Sequence, residues 1–103
     1  VVKWTTPAKQ DLKQIHDYIA KDSNFYAKKV TDEIVASSEN LESFPQMGRI
    51  VPEIGDTNVR ELVVYSYRLV YEIVPAGIRV LALIHGKRDF LSLNIGGLAG
   101  ASS

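Results

Sequence analysis

Three short stretches in the second half of the chain combine residues that can hold an anion or move a proton. Ile84-His85-Gly86-Lys87-Arg88-Asp89-Phe90 closes an apolar run with a glycine and then three charged residues. A backbone turn at such a place aims side chains outward beside a sheet edge. His85 titrates near neutrality and can act as acid or base, while Lys87 and Arg88 can grip a phosphate or a carboxylate. A solvated strand end is the plainer alternative. Tyr67-Arg68-Leu69-Val70-Tyr71 sets an arginine inside an otherwise apolar run. A guanidinium is costly to desolvate alone, so a carboxylate or a ligand belongs beside it, with Glu72 and Glu61 the candidates for a purely structural pair. Arg60, next to Glu61, poses the same question in weaker form. The other histidine, His16, reads as a surface residue of a helix. With two histidines, no cysteine and no HExxH-type spacing, no metal or other cofactor is expected.

These stretches sit in a chain of 103 residues, 46% of them hydrophobic, sized for one core. Twelve lysines and arginines balance twelve aspartates and glutamates, so contact with a polyanion has to come from a local patch. The cations are divided unevenly: residues 1–48 hold six lysines and no arginine, residues 49–103 five arginines and one lysine. Arginine offers a planar fork suited to phosphate or carboxylate, whereas lysine on a helix keeps the surface wet. No run approaches the ~18 apolar residues of a membrane span, and the start shows no signal-peptide pattern, so a soluble cytoplasmic protein without membrane contact is expected.

The elements that must position these residues follow from periodicity. Val1 to Trp4 is β-prone, and Thr5-Thr6-Pro7 supplies a helix cap followed by proline at the helix start. Ala8, Leu12, Ile15 and Ile19 recur at helical spacing over residues 7–22. Asp22-Ser23-Asn24 breaks the pattern, and Ala27, Val30, Ile34, Leu41 and Phe44 mark a second helix up to Pro45, predicting an antiparallel helix hairpin. Residues 46–58 read as a loop whose Gly48 and Gly55 permit sharp turns. Strands are expected at 59–64, 67–74 and 78–85, as an antiparallel meander. A three-residue loop Pro75-Ala76-Gly77 would set Val74 against Ile78 and Arg68 opposite Ile84; with a two-residue turn, Arg68 is expected to pair with His85. One face then carries Leu69, Tyr71, Ile73, Leu81 and Leu83 beneath the helices, and the other Arg68, Val70, Glu72, Val80, Ala82 and Ile84 as an exposed, half-apolar groove. Residues 91–103, with three glycines and three serines, read as a flexible tail.

The order of these elements, together with Val59-Arg60-Glu61-Leu62, Tyr67-Arg68-Leu69-Val70-Tyr71 and Ile84-His85-Gly86-Lys87-Arg88-Asp89, resembles the RelE/ParE superfamily of toxins from type II toxin–antitoxin systems, over residues 1–90. Gly48-Arg49 followed by Val51-Pro52-Glu53 is similar to the loop these toxins place before the sheet. The resemblance implies an α+β fold with an N-terminal strand and a two-helix hairpin packed on an antiparallel sheet, in the order β-α-α-β-β-β.

The resemblance also implies one of two activities. RelE-like toxins cleave messenger RNA on the ribosome; ParE-like toxins bind DNA gyrase and block it. Of the cations of the nuclease branch, Arg68 and Arg88 match, so that Arg68, His85 and Arg88 would be the catalytic set of a nuclease. The basic pair of the preceding strand falls on Val59 and Glu61, or takes in Arg60 with a one-residue shift, and Asn94 stands where the C-terminal tyrosine is expected. RNA cleavage needs a base for the 2′-hydroxyl, cations for the phosphorane and an acid for the leaving oxygen. His85, with Glu53 or Glu61, could move those protons. A glutamate at position 61 repels phosphate, however, and the His-Gly-Lys-Arg-Asp ending is more similar to the ParE branch. The expectation is therefore a gyrase-inhibiting binder, with the ribosome-dependent endoribonuclease as the alternative and a toxin that has lost its toxicity as a third reading. The implied partner is an antitoxin lying along the open sheet face in a hetero-oligomer, with Arg60, Arg68, His85, Lys87 and Arg88 as the antitoxin- or target-binding residues.

Overall fold

The computed structural model describes residues 1–86. The chain forms β1 (Val2–Trp4), α1 (Thr6–Ala20), α2 (Asn24–Asn40), β2 (Arg49–Ile50), β3 (Val59–Val64), β4 (Tyr67–Val74) and β5 (Gly77–His85). Both helices begin at side-chain caps. The Thr5 hydroxyl accepts from the Ala8 amide, with Pro7 in the first turn, and the Ser23 hydroxyl accepts from the Tyr26 amide. The second helix ends at Asn40, earlier than the apolar stripe suggests; Leu41 to Ser43 continue only as a turn, with the Phe44 amide reaching back to the Asn40 carbonyl.

The strands lie in the order β1-β5-β4-β3-β2. The α+β fold with a helix hairpin on one sheet is as expected, but the sheet is mixed. β1 runs parallel to β5, matching Val2 with Ile78 and Trp4 with Val80, while the other pairs are antiparallel. The added strand is β2, two residues of the predicted loop, with Arg49 opposite Glu61. Glycine serves two close approaches here. A Cβ at Gly77, whose φ is +138°, would lie 2.2 Å from the Val1 carbonyl oxygen, and one at Gly48 would lie 2.6 Å from that of Glu61.

The β4–β5 hairpin differs from expectation in a way that preserves its end. The turn has two residues, since Val74 pairs with Gly77 and Ile73 with Ile78. A bulge then intervenes: Tyr71 pairs with Val80 but Val70 with Ala82, leaving Leu81 as an extra residue. Arg68 therefore does face Ile84, and Tyr67 faces His85. A two-residue turn with a regular ladder would have set Arg68 opposite Leu83, and the expected pairing of Arg68 with His85 does not form. The bulge also exchanges Val80 and Leu81 between the faces. Val80 joins Leu69, Tyr71, Ile78 and Leu83 under Ala8, Ile34 and Leu41 of the helical layer, while Leu81 joins Val59, Val70, Ala82 and Ile84.

That second cluster is not an exposed groove. Val51 is part of it and Ile54 packs against it, both from the segment between β2 and β3, and Val70, Leu81, Ala82 and Ile84 are all buried. The predicted tail at 91–103 lies outside the described residues.

Candidate functional site: an arginine–glutamate cluster at the end of the sheet

Alternation along β3 sends Val59, Glu61 and Val63 to the face away from the helices, and Arg60, Leu62 and Val64 to the helix side. Arg68 lies opposite Val63, placing it diagonally beside Glu61, while Arg49 lies directly across from Glu61 on β2. The three side chains meet. Arg49 Nε donates to Glu61 Oε2 at 2.6 Å, Arg68 Nε donates to Glu61 Oε1 at 2.7 Å, and Arg68 Nη2 closes on the same oxygen. Glu53 adds a second carboxylate, its Oε1 lying 3.8 Å from Arg68 Nη2.

Burial grades the cluster. The Glu61 side chain is 1% exposed, that of Arg68 12%, and that of Arg49 70%. Glu61 is the only charged residue among the buried ones described. A carboxylate this deep is tolerated because each of its oxygens carries a charge-assisted bond. Glu61 is thus the partner of Arg68 that desolvation demanded; Glu72, the other candidate, pairs instead with Arg79 at 3.1 Å.

The cluster lines a cavity of about 570 Å³ together with Pro52, Val63, Ser66, His85 and Gly86. His85 stands at its rim, exposed at the end of β5, with its ring edge-on to Tyr67 at 5.8 Å between centroids. On its other side opens a second cavity, of about 590 Å³, formed by Asp11, Gln14, Ile15, Tyr18, Tyr67 and Leu83. Burial raises the Tyr67 phenol above its usual range, with the nearby Tyr18 adding to the effect. Asp11 closes the sheet edge where β1 stops, its Oδ2 accepting from the Leu83 amide at 3.1 Å. The Gly86 amide donates to the Ser66 carbonyl at 2.7 Å, which ties the end of β5 to the β3–β4 turn.

Of the residues singled out by sequence, Arg68 and His85 share this cavity. Arg60 does not. It lies on the opposite face, where Nε donates to the Thr57 carbonyl and Nη1 to the Gly48 carbonyl, both at 3.0 Å, beside the buried Tyr71. Strand parity separates neighbours in sequence, so Arg60 and Glu61 cannot serve one site. Lys87 and Arg88 lie outside the described residues. Arg49 was missed as a site residue, because a strand of two residues has no periodicity to reveal it. Glycine just before it was the available signal.

The fold is the α+β fold of RelE/ParE toxins. A family model described as ParE toxin of type II toxin-antitoxin system, parDE, matches residues 2–90, and the chain belongs to that family. It is 28% identical over 88 residues to Toxin RelE2 of Caulobacter vibrioides, covering 84% of this chain and 96% of that one. Among solved structures, a chain of the chromosomal ParDE system from P. aeruginosa superposes with a TM-score of 0.68 at 24% identity, over 82% of this chain and 92% of that one. The RelBE2 toxin–antitoxin complex of Mycobacterium tuberculosis gives 0.60 at 19%, over 82% and 95%. A mutant E. coli toxin RelE in the free state gives 0.58 at 13%, over 84% and 82%. Among the described residues, no helix is long and apolar enough to cross a membrane.

Proposed function

We propose that this type II toxin arrests growth by binding DNA gyrase through a protein surface centred on the Arg49–Glu61–Arg68 cavity and the His85 rim, and that a cognate antitoxin neutralises it by covering that surface. The observation that carries the reading is the engagement of Arg68 by Glu61. A phosphodiester-cleaving site spends its cations on the scissile phosphate. Among the described residues, two guanidiniums face two carboxylates, Glu61 and Glu53, so these side chains together offer little net field to a phosphate. Balanced charge with an apolar wall at Pro52 and Val63 suits a protein contact. Lys87 and Arg88 follow this rim directly in sequence and are assigned to the same contact.

Ribosome-dependent cleavage of messenger RNA is the competing reading, supported by the likeness to Toxin RelE2 and by an exposed histidine beside the arginines. Gyrase supercoiling and cleavage of ribosome-bound message, measured side by side with the purified toxin, separate the two. Inhibition of supercoiling without RNA cleavage is expected. RNA cleavage that disappears in Arg68→Ala or His85→Ala would overturn the proposal.

A further inference from the structure

We propose that Glu61 is a specificity-determining residue that fills a latent phosphate site with the protein's own carboxylate. The inference rests on the reading of this cavity as a protein-binding surface and names the residue that makes it one. Both arginines present the Nε side of the guanidinium to Glu61, a donor edge that can equally take a phosphate. The carboxylate reaches them from β3, a strand paired on both sides, so it competes as an intramolecular ligand that never has to be recruited from solution. An incoming phosphate would have to expel a buried carboxylate and then lie close to it. With Glu61 neutralised, the carboxylate bonded to both arginines is gone, and Glu53, the other carboxylate of the cluster among the described residues, stays at the longer distance of 3.8 Å from Arg68 beside the cavity. A bound dianion then supplies what the glutamate supplied.

The test uses inorganic phosphate as the probe and the full chain as the protein, with Glu61→Gln as the near-isosteric variant. Phosphate titrations followed by calorimetry are expected to give at least tenfold tighter binding to Glu61→Gln than to the unaltered toxin. Adding Arg49→Gln, at an exposed position, is expected to remove most of that gain. Equal affinity of the unaltered toxin and Glu61→Gln, or a gain that survives Arg49→Gln, overturns the proposal. If Glu61→Gln does not fold in chloride, refolding in phosphate at matched ionic strength decides. Rescue beyond that seen for the double variant supports the proposal, and failure in both buffers overturns it. Gyrase inhibition by the unaltered toxin is a separate readout: its absence together with a phosphate gain removes the target and keeps the role of Glu61, and the reverse result keeps the target alone.

Discussion

The two faces of the sheet solve different problems with neighbouring residues of the same strands. On the helix side, Leu69, Tyr71, Ile78, Val80 and Leu83 pack beneath Ala8, Ile34 and Leu41 with no buried charge among them. On the other side, a smaller apolar cluster around Val70 and Ile84 is joined to a buried carboxylate held by two arginines. The first face draws its stability chiefly from apolar burial, with hydrogen bonds of Tyr71 added at its margin. The second accepts the cost of desolvating ions, and what it holds in return is a fixed, charge-balanced cavity beside His85. A fold that segregates the two tasks can change its target surface without disturbing its core.

Breaking the ionic face should have the largest effect. Glu61→Ala removes the carboxylate bonded to the nearly buried Arg68 guanidinium and leaves Glu53 at the longer distance of 3.8 Å, and a loss of about 3–5 kcal/mol in urea unfolding is expected; a loss below about 1 kcal/mol would show the cluster to be no more than a surface pair. On the other face, Leu69→Ala is expected to cost about 2–5 kcal/mol by leaving a cavity, while toxin that remains folded inhibits its target as before. Reduced inhibition at full folding would join the two faces into one functional unit.

Tyr71→Phe probes where the faces touch through the backbone. The phenol accepts from the Gly48 amide at 2.9 Å and donates to the Pro45 carbonyl at 2.7 Å, so its loss should cost about 1–2 kcal/mol. Burial pushes the Tyr71 phenol above its ordinary range, although the Gly48 amide and Arg60 pull it partly back. As pH rises, the unfolded chain therefore loses that proton first, and stability should fall from about pH 10 up to the higher folded-state value. Tyr67 is shifted in the same direction, so Tyr71→Phe should shallow this alkaline decline in unfolding midpoint without abolishing it. Arg49→Ala comes last: the guanidinium is largely in solvent, but its loss leaves the buried Glu61 Oε2 without its charge-assisted bond, so about 1 kcal/mol is expected in stability. Its expected signature is weaker target inhibition by toxin that is still fully folded, the converse of Leu69→Ala.

The parts of the molecule that could be read from sequence are those whose signal repeats. Three strands found by alternation over six to nine residues lie where expected to within one residue, and the demand of Arg68 for a carboxylate followed from desolvation alone. Arg49 and the bulge were hidden because each depends on a single position. A two-residue strand has no period, and nothing in Val80-Leu81-Ala82 marks which residue will be left unpaired. Arg60 stands apart from Arg68 for a different reason: successive residues of β3 point to opposite faces, and Arg60 shares the face of Tyr71 while Glu61 shares that of Arg68.

The bulge at Leu81 makes the two ends of the β4–β5 hairpin geometrically independent. It acts as a phase shifter. The turn end keeps the register dictated by Pro75-Ala76 and by the parallel contact with Val1, while the far end is advanced by one residue, bringing His85 against Tyr67 and turning Ile84, in place of Leu83, toward the side of Arg68. A change in turn length could be absorbed by gaining or losing this one unpaired residue, leaving the site untouched. Equally, removing Leu81 alone would leave a regular ladder in which Ala82 follows Val80 directly, with Ile84 still opposite Arg68 and His85 still opposite Tyr67.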